Sequence, residues 1–117
     1  MKPMPTPQPG LAEIVLDTIR HPVIMLDAGG RIAFANADAE VFFRSSAVIL
    51  SRNRLDHFVP FGSPLLTLIE EVRARQSPVN EYRVDISSPR LGGDRLVDIL
   101  VAPVPEMPGA VVVMFQE

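Results

Sequence analysis

The stretch Val23-Ile24-Met25-Leu26-Asp27-Ala28-Gly29-Gly30-Arg31-Ile32-Ala33-Phe34-Ala35-Asn36-Ala37-Asp38-Ala39-Glu40 leaves the chain few folds to choose from. An apolar run reaches Asp27, a Gly-Gly turn follows, and a second run with Ile32 and Phe34 ends at Asn36, where a helix-forming segment begins. Two short runs joined by a tight turn pair as an antiparallel hairpin. Gly29 and Gly30 are expected to supply the positive φ that such a turn needs. Asn36 is placed to cap the next helix by accepting a backbone N–H bond. Residues 23–35 are therefore read as a hairpin, and residues 38–44 as a helix burying Val41 and Phe42 or Phe43.

The flanking segments extend this order. Residues 1–10 carry prolines at 3, 5, 7 and 9 and read as a flexible proline-rich tail, leaving 11–117 as one domain. Leu11, Ile14, Val15 and Ile19 recur at helical spacing over residues 11–20. His21-Pro22 ends that helix, because the residue before proline is pushed out of helical dihedrals. Residues 45–62 suggest short helical turns at 48–50 and 55–58. Ser63-Pro64 opens the clearest helix, with serine as N-cap and proline at the first helical position. Leu65, Leu68, Ile69 and Val72 form its inner face, and Ser77-Pro78 stops it. Three strands follow. In the first, over 80–86, Tyr82, Val84 and Ile86 alternate with charged residues. Residues 95–102 and 109–116 supply the others, joined by a proline-rich connection. The expected fold is α+β: a five-stranded antiparallel sheet with short helices on one face and an N-terminal helix.

Composition removes several function classes. A chain of 117 residues is one domain with one modest core. No run approaches the roughly 18 apolar residues of a membrane helix, so no membrane association is expected. The absence of cysteine excludes disulfides and thiolate chemistry and suits a cytoplasmic setting. Net charge is −3 and the eleven Lys and Arg are scattered, which argues against nucleic-acid binding. Asp27, Asp38 and Glu40 read as a turn residue and two solvated helix residues. Gly29-Gly30 and Gly92-Gly93 lack the strand–loop–helix setting of phosphate loops. No Ser–His–Asp or metal-ligand spacing occurs, so neither catalytic residues nor a metal site are expected.

The hairpin-then-helix segment, with Asp27, Gly30, Ile32, Asn36 and Ala39, resembles the start of a PAS domain, and the order of elements across 11–117 matches that family. The resemblance implies a sensory and interaction module. Haem-binding members use a histidine before or on the long helix. His57 lies in that region, but 64–76 has none, and light-sensing flavin members need a cysteine; no cofactor is expected. A ligand cavity between sheet and helices would be lined by Phe34, Phe42, Leu55, Phe58, Leu68, Tyr82, Val84 and Val97. These are also core residues, and a filled or nearly filled core is the preferred reading.

Within PAS domains, Ile19-Arg20-His21-Pro22-Val23-Ile24-Met25-Leu26-Asp27, Phe42-Phe43 and Leu55-Asp56-His57-Phe58-Val59-Pro60-Phe61-Gly62-Ser63-Pro64-Leu65 resemble the amino-terminal domain of the NtrB family. Those are the two-component histidine kinases of nitrogen regulation. The resemblance implies a soluble kinase that answers to a PII-type signalling protein and phosphorylates a response regulator. The chain ends at Glu117, where that family's linker helix would begin, so a sensor fragment without kinase activity is expected. Two other readings stay open. One is a cofactor- or ligand-binding PAS domain of another regulator. The other is a roadblock- or profilin-like scaffold binding a GTPase.

The last two strands are apolar on both sides. Val97, Ile99 and Val101 oppose Leu96 and Leu100; Val111, Val113 and Phe115 oppose Val112 and Met114. One side packs on the helices. The other needs a cover, since large apolar patches mark interaction sites. Leu96, Leu100, Val112 and Met114, with Leu11, Ile14, Val15 and Ile19, are expected to form the interface of a parallel homodimer; the alternative is that the 11–20 helix folds back over the sheet and merely completes the core.

Overall fold

A computed structural model describes residues 19–88 and 91–117. The expected tail and most of the expected first helix lie outside the described residues; Ile19 and Arg20 form a bend. The strands are β1 (Val23–Leu26), β2 (Ile32–Ala35), β3 (Val79–Asp85), β4 (Leu96–Pro103) and β5 (Val111–Gln116). Between β2 and β3 lie α1 (Ala37–Phe43), α2 (Ala47–Ser51), a 3-10 turn (Leu55–His57) and α3 (Pro64–Arg75). All five strands pair antiparallel in the order β2-β1-β5-β4-β3.

The first hairpin forms as its sequence requires. Asp27 N–H donates to Arg31 O, and the Asp27 carboxylate accepts from the N–H groups of Gly29 and Arg31. Gly30 alone of the glycine pair takes positive φ, at 85°; Gly29 does not need its conformational freedom here. Pairing then slips by one residue. Met25 faces Phe34 and Leu26 faces Ile32, so Ala33 is inserted as a bulge. Ile32 and Ala35 pack toward the core, while Phe34 is half-buried beside Met25 on the outer face and is not a cavity-lining residue.

A second bulge corrects β3. The register passes from Glu81 opposite Ile99 to Val84 opposite Val97. Arg83 takes φ 55° and donates its N–H to Asp98 Oδ1 at 3.0 Å. Strict alternation fails at this point, and Tyr82 stands 71% exposed instead of lining the interior. The bulge and the charged residues around it also blunt an edge strand that could otherwise template further pairing.

The helices pack on the inner face. Asn36 caps α1, which buries Ala39, Phe42 and Phe43; Val41, expected inside, is 77% exposed. Ser63 caps α3 through Leu65 N–H, with Pro64 in the first turn, and Leu65, Leu68, Ile69 and Val72 are buried as expected. The helix stops at Gln76, which takes the left-handed conformation one residue before Ser77-Pro78. Arg73 ties its C-terminal end to two loops, donating to the carbonyls of Asp27 (2.9 Å) and Gly109 (3.0 Å) while pairing with Glu70. The space between the layers is filled by rings. Phe42 stacks on Phe115 at 4.8 Å, and Phe43 meets Phe42, Phe58 and Phe115 edge-on.

These positions order two core substitutions. Leu68→Ala empties a buried site and is expected to cost about 2–5 kcal/mol. Phe34→Ala, on the half-exposed outer face, should cost about 1 kcal/mol. Urea unfolding of both variants checks the order, and a larger loss at Phe34 would contradict the bulge at Ala33.

Candidate functional site

The outer face of the sheet is apolar across its three central strands. β4 contributes Leu96, Leu100 and Ala102, β5 contributes Val112 and Met114, and β1 contributes Val23 and Met25. Phe34 extends the surface onto the edge strand. Leu96 is 54% exposed; Leu100, Val112, Met114, Met25 and Phe34 are half-buried. Four of the residues expected at an interface therefore share one face, opposite the ring-filled core. Ile19 is half-buried at the start of the described chain, and Leu11, Ile14 and Val15 lie outside the described residues. Met25 and Phe34 were not anticipated. The signal for Met25 was available, since it alternates with Ile24 and Leu26 as Val112 does with its neighbours.

The eight expected cavity residues divide. Phe42, Leu55, Phe58, Leu68 and Val97 belong to the buried cluster, and Val84 packs against it; Phe34 and Tyr82 do not join them. A surface cleft of about 190 Å³ opens instead beside the hairpin turn, floored by Leu26, Leu55 and Ile69 and rimmed by the Arg54–Asp56 and Arg73–Glu70 ion pairs. Of the expected lining only Leu55 reaches it.

The outer face connects directly to the place where the described chain begins and ends. Phe115 N–H donates to Pro22 O at 2.9 Å, and the Gln116 amide lies 3.4 Å from His21 Nε2. Asn36, fully buried, holds the same segment from the other side. Its Oδ1 accepts from Val23 N–H and Ala39 N–H, and its Nδ2 donates to His21 O, each at 2.9 Å. One side chain thus caps α1, extends the β1–β2 ladder and fixes the segment leading into β1. Arg95 closes the junction. Its guanidinium lies 4.6 Å above the Phe42 ring, and Nη1 is 3.2 Å from Glu117 Oε1, an ion-pair contact without hydrogen-bond alignment. Sequence reasoning gave Arg95 no role, because neither of its partners is near it in sequence.

Charge chemistry elsewhere is local. The Asp85 carboxyl is held below its usual range by hydrogen bonds from the Ser87 side chain and backbone N–H, against a small opposing desolvation. His57 is exposed, its ring edge-on to Phe58 at 5.0 Å. Among the described residues no group of three or more His, Asp and Glu is placed to hold a metal ion, and no helix is long and apolar enough to cross a membrane. The described residues thus present an apolar outer face and, at its edge, a hydrogen-bonded junction between the segment entering β1 and the end of β5.

Comparison with known proteins agrees with this fold. The PAS fold family matches residues 13–117. The sensory histidine kinase/phosphatase NtrB of Rhizobium meliloti is 60% identical over 107 residues, covering 92% of this chain and 28% of that protein. NtrB of Rhizobium leguminosarum bv. phaseoli is 55% identical over the same shares. The chain therefore spans little more than a quarter of these relatives. Among solved structures, the PAS domain of nitrogen regulation protein NR(II) from Vibrio parahaemolyticus superposes with a TM-score of 0.79 at 20% identity, covering 93% of this chain and 99% of that one. At that identity the likeness establishes the fold alone.

Proposed function

The chain belongs to the PAS family and is a PAS domain of the NtrB type; on that premise we propose that it is the sensory and dimerisation domain of a cytoplasmic histidine kinase. The family assignment takes the place of a GTPase-binding scaffold. The domain itself is non-catalytic in this reading. In the parent protein it would bias a kinase module that phosphorylates a response regulator and so controls nitrogen-responsive transcription, with a PII-type protein as upstream signal. The 60% identity to a named NtrB supports the parent assignment.

The observation that carries the dimer is the outer sheet face. Leu96, Leu100, Val112 and Met114 share an apolar face that a second copy can cover together with Leu11, Ile14, Val15 and Ile19. Pairing there acts on β5, whose C-terminal end is bonded to Pro22 through Phe115 and leads to Glu117. A small rotation at the interface would move both chain ends together, the kind of two-state device that signalling domains use. Sedimentation equilibrium tests this. The wild-type chain should dimerise in the micromolar range, and Ile14→Asp and Leu100→Asp should each weaken association by about tenfold or more, because a carboxylate would be desolvated at the contact. A wild-type monomer at high micromolar concentration, or variants that dimerise unchanged, would remove the interface.

A further inference from the structure

The chain has six phenylalanines, and Phe61 alone among them is fully exposed. It is not on a loose loop. Ser63 N–H donates to Pro60 O at 3.0 Å, and Gly62 takes φ 83°, so residues 60–63 form a closed turn with Phe61 at its outer corner. Buried Val59 and Ser63 anchor the turn on either side. Ser63 also caps α3, which fixes the turn to the longest helix. A large apolar side chain presented to water from a closed backbone turn stabilises nothing within the domain, but its position is set for entry into a partner.

A groove of about 420 Å³ runs beside it between α3 and β3. Its apolar surface comes from Pro64, Leu68 and Val84, and its charge from Glu71 and Glu81; no basic side chain lines it. Glu71 has only an exposed contact with Arg75, and Glu81 makes no ion pair among the described residues. The groove is open and lacks converging donors, so it is poorly suited to a small polar ligand. Two-fold pairing of this face with itself would set the glutamates against their own copies.

We propose that Phe61 and this groove form a second docking surface, which takes a basic amphipathic helix of a partner protein. The helix lays apolar side chains over Phe61, Leu68 and Val84 and directs lysine or arginine to Glu71 and Glu81, a helix-in-groove mode. None of Leu96, Leu100, Val112 and Met114 lines the groove, so it is a surface distinct from the outer sheet face.

The probe is a synthetic amidated leucine/lysine helical peptide of about four turns, titrated into the ¹⁵N-labelled chain. Saturable amide shifts at residues 60–71 and 81–84, weakened by added salt, are expected. Phe61→Ser and Glu81→Lys should each lower affinity by about tenfold while leaving the unbound spectrum folded, and a leucine/glutamate peptide of the same pattern should not bind. Absence of saturable shifts in these residues, shifts spread over other surfaces, or unchanged affinity in Phe61→Ser would overturn the proposal. So would a monomer–dimer equilibrium that Phe61→Ser abolishes, which would assign the knob to a second copy.

Discussion

Phe115→Ala is expected to lower the stability of the domain by about 3–5 kcal/mol, a large part of the roughly 5–15 kcal/mol that holds a domain of this size together. Phe115 has no exposed surface, and it sits on β5, which β1 and β4 flank on either side. Its ring stacks on Phe42 at 4.8 Å and 24° and meets Phe43 edge-on at 5.7 Å and 81°. Truncation removes the ring and leaves a cavity whose walls are other rings, each pinned by its own neighbours. Movement of Phe42 into the space would break its edge contact with Phe43 at 5.1 Å and its contact with the Arg95 guanidinium at 4.6 Å. Thermal unfolding should show a fall of more than about 10 °C. A loss below about 1 kcal/mol would mean that the cluster collapses freely and does not set the spacing of helices and sheet.

The sequence carried the inner face of this core because its signals were local. Asn36 at the end of an apolar run, Ser63-Pro64 before a helical stripe, and the alternation of Val97, Ile99 and Val101 each fix one element without help from distant parts. The same logic put Leu96, Leu100, Val112 and Met114 on a common outer face. It failed where a residue is inserted. Ala33 and the Glu81–Val84 bulge break the two-residue period, and with it the inward placement of Phe34 and Tyr82. Neither bulge is marked by glycine, so nothing in the letters announces it. Val41 was misplaced for another reason: in the seven residues of α1 a helical stripe is too short to separate it from Phe42 and Phe43. The Arg73 bonds to Asp27 and Gly109, and the seating of Arg95 on Phe42, join segments far apart in sequence. They become visible only when the layers are assembled.

Asn36→Ala should cost about 2–4 kcal/mol, more than an ordinary helix cap, because the side chain serves at least three backbone groups. Removing it leaves the N–H groups of Val23 and Ala39 without their Oδ1 acceptor and the His21 carbonyl without its donor, in surroundings where Asn36 itself has no exposed surface. Asn36→Asp separates the two halves of the role. A carboxylate still accepts from Val23 and Ala39 but sets a charged oxygen against His21 O. Burial and that carbonyl push the pKa of the new carboxyl up, while the two N–H donors and the helix N-terminus push it down. Full burial and the lost bond to His21 O are expected to outweigh them, so that the folded-state pKa lies above the unfolded value. Its protonated form can donate to His21 O, so the Asp variant should gain stability as pH falls through that folded-state pKa and lose it as pH rises. The alanine variant should show no such added dependence. Hydrogen exchange reads the functional side. Loosening should appear first at Val23 and Phe115, whose amides tie the segment leading into β1 to Asn36 and to the last strand, and least at Leu68 and Val72 on α3. If protection falls equally at all four, Asn36 acts only on global stability and the junction is not a separate unit. If it falls at Val23 and Phe115 alone and dimerisation weakens with it, the hydrogen bonds of one asparagine couple the chain ends to the face through which two copies pair.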